Sequence, residues 1–180
     1  VLWLTATSAV FAADDWPEFR GPTGQGHAPD ATIPLEWSEA DNVVWKSAVP
    51  GRGWSSPVIG DGRIWITTSI DEAGSGSLRL LAYDIETGHE IINTEVFRVD
   101  DTDAPNPKNS LASPSAVIDP TGERVYVHFG AYGTAAMTTD GEVVWSTRFP
   151  YISQHGNGGS PIVHNDLLVL NIDGYDTAYV

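Results

Sequence analysis

Apolar and polar positions along this chain alternate in short runs, and the runs come in matched sets. From Ser55 to Ser69 a Ser-Pro pair leads into Val58-Ile59, a Gly60-Asp61-Gly62 turn and a second apolar run, Ile64-Trp65-Ile66. The same order returns from Ala112 to Gly130, with Val117-Ile118, the turn Asp119-Pro120-Thr121-Gly122 and Val125-Tyr126-Val127. It returns again from Gly159 to Gly174, with Ile162-Val163 and Leu167-Leu168-Val169 on either side of Asn165-Asp166. Period-two runs of this length bounded by Gly, Pro, Asn and Asp predict strands joined by hairpins. The pattern predicts strands at 54–60, 63–69, 78–84 and 90–97 in a first unit, with Asp71 to Ser77 as a flexible hairpin tip. A second unit is predicted at 112–118, 124–129, 133–138 and 142–148. A third is expected to begin at 158–163 and 166–171.

The Ser-Pro pairs start at Ser56, Ser113 and Ser160, spacings of 57 and 47 residues. A repeat of about 40–50 residues made only of strands is the signature of propeller blades. The expected fold class is therefore all-β, a β-propeller of four-stranded antiparallel blades, with blades at about 54–97, 112–148 and an incomplete 158–180. Before them, Asn42 to Val49 reads as a strand stopped by Pro50-Gly51, with no earlier blade attached. It is expected to supply the outer strand of the last blade, a closure that protects the sheets from exposed edges. Residues 13–41, broken by Gly21, Pro22, Gly24 and Gly26, read as an irregular lead-in that packs Trp16 and Phe19 on the body.

Composition adds location and removes partners. Val1 to Ala12 is an apolar run ending Val10-Phe11-Ala12, the small-residue pattern of a secretory cleavage site, so residues 1–12 read as the remnant of a signal peptide. Export to the periplasm or the extracellular space is expected, and the run is too short to span a membrane. The formal charge of −15 would repel a phosphate backbone, which argues against nucleic acid as a partner. There is no Cys, hence no disulfide, no thiolate nucleophile and no lipid-accepting Cys.

Two stretches carry a motif. Ala82-Tyr83-Asp84-Ile85-Glu86-Thr87-Gly88-His89-Glu90-Ile91-Ile92 resembles the tryptophan-docking motif of quinoprotein-type, PQQ-binding-like propellers, Ala-x-Asp-x-x-Thr-Gly-x-x-x-Trp, with Ile92 in place of Trp. Ala136 to Trp145 is a copy one residue shorter that keeps Gly141 and the Trp, and Trp45 ends a strand of the same kind. The lead-in Asp15 to Pro22 is similar to secreted bacterial members of the same group. The resemblance implies a ring of about seven or eight blades, of which this chain would be an N-terminal portion whose missing C-terminal blades are its first partner. Soon after Val180 another Ala-x-Asp-x-x-Thr-Gly stretch would be expected. Among similar proteins some are quinone-dependent dehydrogenases and some are scaffolds of outer-membrane assembly. The second kind is lipid-anchored through a Cys, which this sequence lacks.

Candidate chemistry is sparse. Loops entering the innermost strands gather at one mouth of a propeller channel, which places Lys108, Asn109, His155 and Asn157 there. Such a set could hold an anionic or sugar-like ligand, with Gly156, Gly158 and Gly159 letting backbone approach it. The simpler alternative is that His155 caps a loop and the glycines serve tight turns. Asn171, Asp173 and Asp176, and likewise Asp100, Asp101 and Asp103, do not fit a calcium loop and read as Asx-turns. His128 reads as a packed strand residue; His89 and His164 lack a second histidine at metal-binding spacing. Ser113 and Ser160 recur with the unit and stand in no nucleophile elbow, so they read as structural. No catalytic residue and no metal ligand is assigned. The expectation is a binding or scaffolding module for a protein or small molecule, with no cofactor assigned to it. A dehydrogenase using PQQ with calcium is the alternative, and an outer-membrane assembly scaffold the third reading.

Overall fold

The computed structural model describes residues 15–29, 31–100, 106–153 and 155–180. The signal-like run and the acidic stretch Asp101 to Ala104 lie outside them. Four strands form the first sheet in consecutive antiparallel order: β1 (Val58–Gly60), β2 (Arg63–Glu72), β3 (Ser75–Asp84) and β4 (Glu90–Val99). A second sheet repeats it with β5 (Val117–Ile118), β6 (Arg124–His128), β7 (Thr134–Thr138) and β8 (Val143–Thr147). A third is begun by two short pairs, β9 (Ile162–His164) with β10 (Leu167–Val169) and β11 (Ile172–Asp173) with β12 (Ala178–Tyr179). Successive four-stranded meanders are the blades that the repeat predicts.

The core lies between the first two blades. Trp65, Leu78, Leu80 and Phe97 of one sheet meet Val125, Val127, Phe129 and Met137 of the other, all buried. Phe97 and Phe129 cross edge to face with centroids 6.0 Å apart, a favoured aromatic geometry. Gly133 is the residue that makes room, since a Cβ there would sit 2.4 Å from the Phe97 ring.

Within the blades, three features depart from the sequence reading. The Asp71 to Ser77 tip is a regular hairpin: β2 and β3 pair as far as Glu72–Ser75, leaving only Ala73 and Gly74, both at positive φ, as the turn. That is the backbone a two-residue hairpin loop demands. The innermost strands are shorter than predicted, because Pro57, Pro114 and Pro161 have no N–H to donate and the neighbouring N–H groups go elsewhere. Ser56 N–H donates to Ser115 Oγ at 2.8 Å, and Ser115 N–H to Ser160 Oγ at 3.0 Å. The equivalent serine of the second blade is thus Ser115, two residues after Ser113, and each lies two residues before its strand.

In the lead-in, Trp16 exchanges two backbone hydrogen bonds with Ile59 and its ring covers Gly21. Phe19 is 45% exposed, with the Arg20 guanidinium over its ring.

The motif residues explain how blades join. Asp84 Oδ1 accepts both the N–H and the hydroxyl of Thr87, which fixes the turn and holds the Asp84 carboxyl below its ordinary range. Gly88 then adopts φ +69°, and the Trp45 indole lies on it while donating Nε1–H to Ile85 O at 2.9 Å. Ser47 Oγ donates to Gly88 O. One blade on, Ile92 lies on Gly141 and Thr94 Oγ1 donates to Gly141 O at 3.0 Å. Ile92 pairs with Ala82 and Trp145 with Ala136, so both hold the same register. Trp45 is the third member of this series by its docking. Residues 43–49 make no ladder pair among the described residues. Trp145 stays 41% exposed, beside Tyr126.

Candidate functional site

The sequence of each inner strand begins at one end of the blades, so residues 106–113 and 151–159 meet there. A network, rather than a set of free groups, results. Asn109 Nδ2 donates to the His155 carbonyl at 2.7 Å, while its Oδ1 accepts Ser110 N–H at 2.9 Å and the Ser113 hydroxyl. Asn106, which sequence reasoning did not single out, meets His155 Nδ1 at 3.2 Å and caps Lys108 N–H through its Oδ1 at 2.9 Å. Asn109 therefore ties the second blade to the third. Lys108 is brought to the same end, exposed to solvent.

Asn157 belongs to the seam between those blades. Its Cβ approaches Gly130 so closely that a Cβ on Gly130 would lie 2.6 Å away, and its Nδ2 is buried without a partner. Two open clefts share Ser153, Gly156 and Asn157 as walls. The larger, about 350 Å³, is completed by His155, Asn171, Asp173 and Tyr175. The other, about 300 Å³, runs toward Phe129, Tyr132 and Tyr151. A loop pinned twice to the chain entering the third blade forms one wall: Ile152 N–H donates to Asp176 Oδ1 at 2.8 Å, and Tyr175 N–H to Ile152 O at 2.9 Å. Asp176 is thus a turn-fixing residue. Asn171, Asp173 and Tyr175 remain exposed at the cleft.

The other singled-out groups lie elsewhere. His128 is buried in the face of the second blade that turns to the third, its Nδ1 against Thr134 Oγ1 at 2.8 Å and its Nε2 without a partner. Burial pushes its pKa down to about 4, so the ring is neutral at pH 7. His89 and His164 are exposed on separate elements. Among the described residues no group of three or more His, Cys, Asp or Glu could hold a metal ion. A quinone with calcium needs flat stacking surfaces and free oxygen ligands. Asn109 offers it no free side-chain oxygen, and the exposed side-chain amide and carboxylate oxygens at the cleft, those of Asn171 and Asp173, fall short of the six or more that calcium takes.

Meander blades, inter-blade serine contacts and Trp or Ile docked on a turn glycine define a PQQ-like β-propeller repeat protein. The family model described as outer membrane protein assembly factor BamB matches residues 35–178, and the chain belongs to that family. No curated protein matches the chain. No helix among the described residues is long and apolar enough to cross a membrane.

Proposed function

We propose that this protein is an exported, periplasmic or extracellular propeller that works as a binding or scaffolding module, presenting the loop end of its blades to a partner. The observation that carries the reading is the Asn106–Asn109–His155 network. It uses side-chain hydrogen bonds to hold two successive loops in one shape, leaving Lys108 exposed beside open clefts. A surface ordered before binding loses less entropy on association. The family's description as an assembly factor of the outer membrane agrees with a scaffold, and the apolar run before Ala13 agrees with export.

A photo-reactive residue tests this in cells expressing the full chain. Placed at position 108 it should give a discrete adduct; placed at Glu86, on the opposite end of the blades, it should not. Equal labelling from both, or none from position 108, overturns the reading, as would retention of the protein in the cytoplasm. Adding PQQ and calcium should produce neither quinone binding nor dye reduction, and dye reduction would favour the dehydrogenase.

A further inference from the structure

We infer that the 350 Å³ cleft at the loop end takes a neutral, hydroxyl-rich ligand, a mono- or disaccharide, and excludes anions. The inference rests on the reading of this end as a binding surface and names a ligand class for it. Four properties of the cleft point that way.

The run Gly156-Asn157-Gly158-Gly159 lines the cleft, and the backbone N–H groups of that run have no partner among the described residues. Three glycines keep those groups uncovered, and at Gly158 nothing lies within 4 Å of where a Cβ would be. A row of free N–H groups alone would suit an anion. The lining, however, also carries the Asp173 carboxylate, no Lys or Arg lines the cleft, its one basic side chain, His155, has its Nδ1 against Asn106, and the whole chain bears −15. An anion would meet that charge at short range. The ligand must therefore satisfy donors and acceptors together without bringing a negative charge.

Hydroxyl groups do both. They accept from the glycine-run N–H groups and donate to Asp173 and to the Asn171 amide oxygen. The last wall is Tyr175, a ring 67% exposed whose backbone is pinned by its hydrogen bond to Ile152. An exposed aromatic on a fixed backbone supplies an apolar face with a polar tip, which matches the C–H face of a pyranose. The size falls in the roughly 300–1,000 Å³ range of small-molecule clefts.

Saturation-transfer NMR on the full chain with maltose, N-acetylglucosamine and glucuronate tests this. Transfer to at least one neutral sugar is expected, with glucuronate at least fivefold weaker. Tyr175→Ala should reduce the neutral-sugar signal at least fivefold, and Asp173→Asn should admit glucuronate. Both side chains are exposed, so thermal melting should not change. Absence of transfer to both neutral sugars, transfer unaffected by Tyr175→Ala, or glucuronate preferred by the unmodified chain would each overturn the inference. Failure here leaves the position-108 adduct intact, whereas failure of the scaffold reading removes that adduct and leaves sugar transfer in place.

Discussion

At the scale of the residue, His128 is the group whose burial has the most measurable consequence. It is 1% exposed, and desolvation lowers its pKa from 6.5 to about 4. No charged group accompanies the shift, so its cause is the medium alone. In the unfolded chain the ring takes a proton near pH 6.5, while the folded chain refuses it until about pH 4. Stability contributed by the neutral ring is therefore complete above pH 6.5 and is lost as pH falls from there to 4. The shift corresponds to about 3 kcal/mol over that window. Thermal melting should be flat above pH 7 and then decline with a one-proton slope. His128→Asn, which takes the residue found at the matching strand position in the third blade, Asn171, should flatten the decline between pH 6.5 and 4.5. A decline of equal slope in the variant would overturn the assignment to His128; carboxylates such as Asp84 and Glu95, whose pKa values are lowered by hydrogen bonds to Thr87 and to Ser77, lose their contribution only below their ordinary values of 3.8 and 4.5.

At the scale of the element, the inner strand shows what the sequence could and could not reveal. The alternation at Val58 to Ile66 and at Val117 to Val127 was enough to place hairpins, because period two survives whatever packs on either face. The motif Asp84-x-x-Thr87-Gly88 was equally legible, since its hydrogen bonds are local and need only that spacing. The serine register was not legible: Ser113-Pro114 imitates Ser56-Pro57, and only the inter-blade hydrogen bond reveals Ser115 as the equivalent. The Asn106 contact was hidden for the same reason, its partner His155 being 49 residues away. Of the four candidate mouth residues, the loop positions were readable but their states were not, as neither Asn109 nor Asn157 advertises its engagement in the seam. The inter-blade contact has its own test. Ser115→Ala deprives the Ser56 N–H of its acceptor, which should cost about 1–3 kcal/mol and speed hydrogen exchange at the Ser56 amide. Ser113→Ala should leave exchange at Ser56 unchanged, and unchanged exchange in Ser115→Ala would mean that the two blades are held by packing alone.

At the scale of the whole molecule, charge and blade packing pull in opposite directions. Three of the four described ion pairs gather in one patch, where Arg98 meets Glu72 at 2.8 Å and Glu95 at 2.5 Å, and Arg79 lies 3.7 Å from Glu95; the fourth, Lys46 with Glu39, is exposed to solvent before the first blade. These side chains are partly exposed, and pairs of that kind contribute at most about 1 kcal/mol each. Against them stand 24 acidic and 9 basic residues, a net charge that repels itself in the compact state more than in the expanded one. The blade seams hold against this through neutral contacts: indole on Gly88, Ile92 on Gly141, and serine hydroxyls on backbone amides, none of which salt weakens. Screening should remove the repulsion over a Debye length that shrinks to about 10 Å at 0.1 M salt, while forfeiting only the small gain from the Arg98 cluster. Raising sodium chloride from dilute buffer to about 0.5 M at pH 7, several-fold above that reference concentration, should therefore raise the melting temperature. A fall in melting temperature would show that the Arg98–Glu72–Glu95 cluster outweighs the net charge, and Arg98→Gln would then abolish the salt dependence.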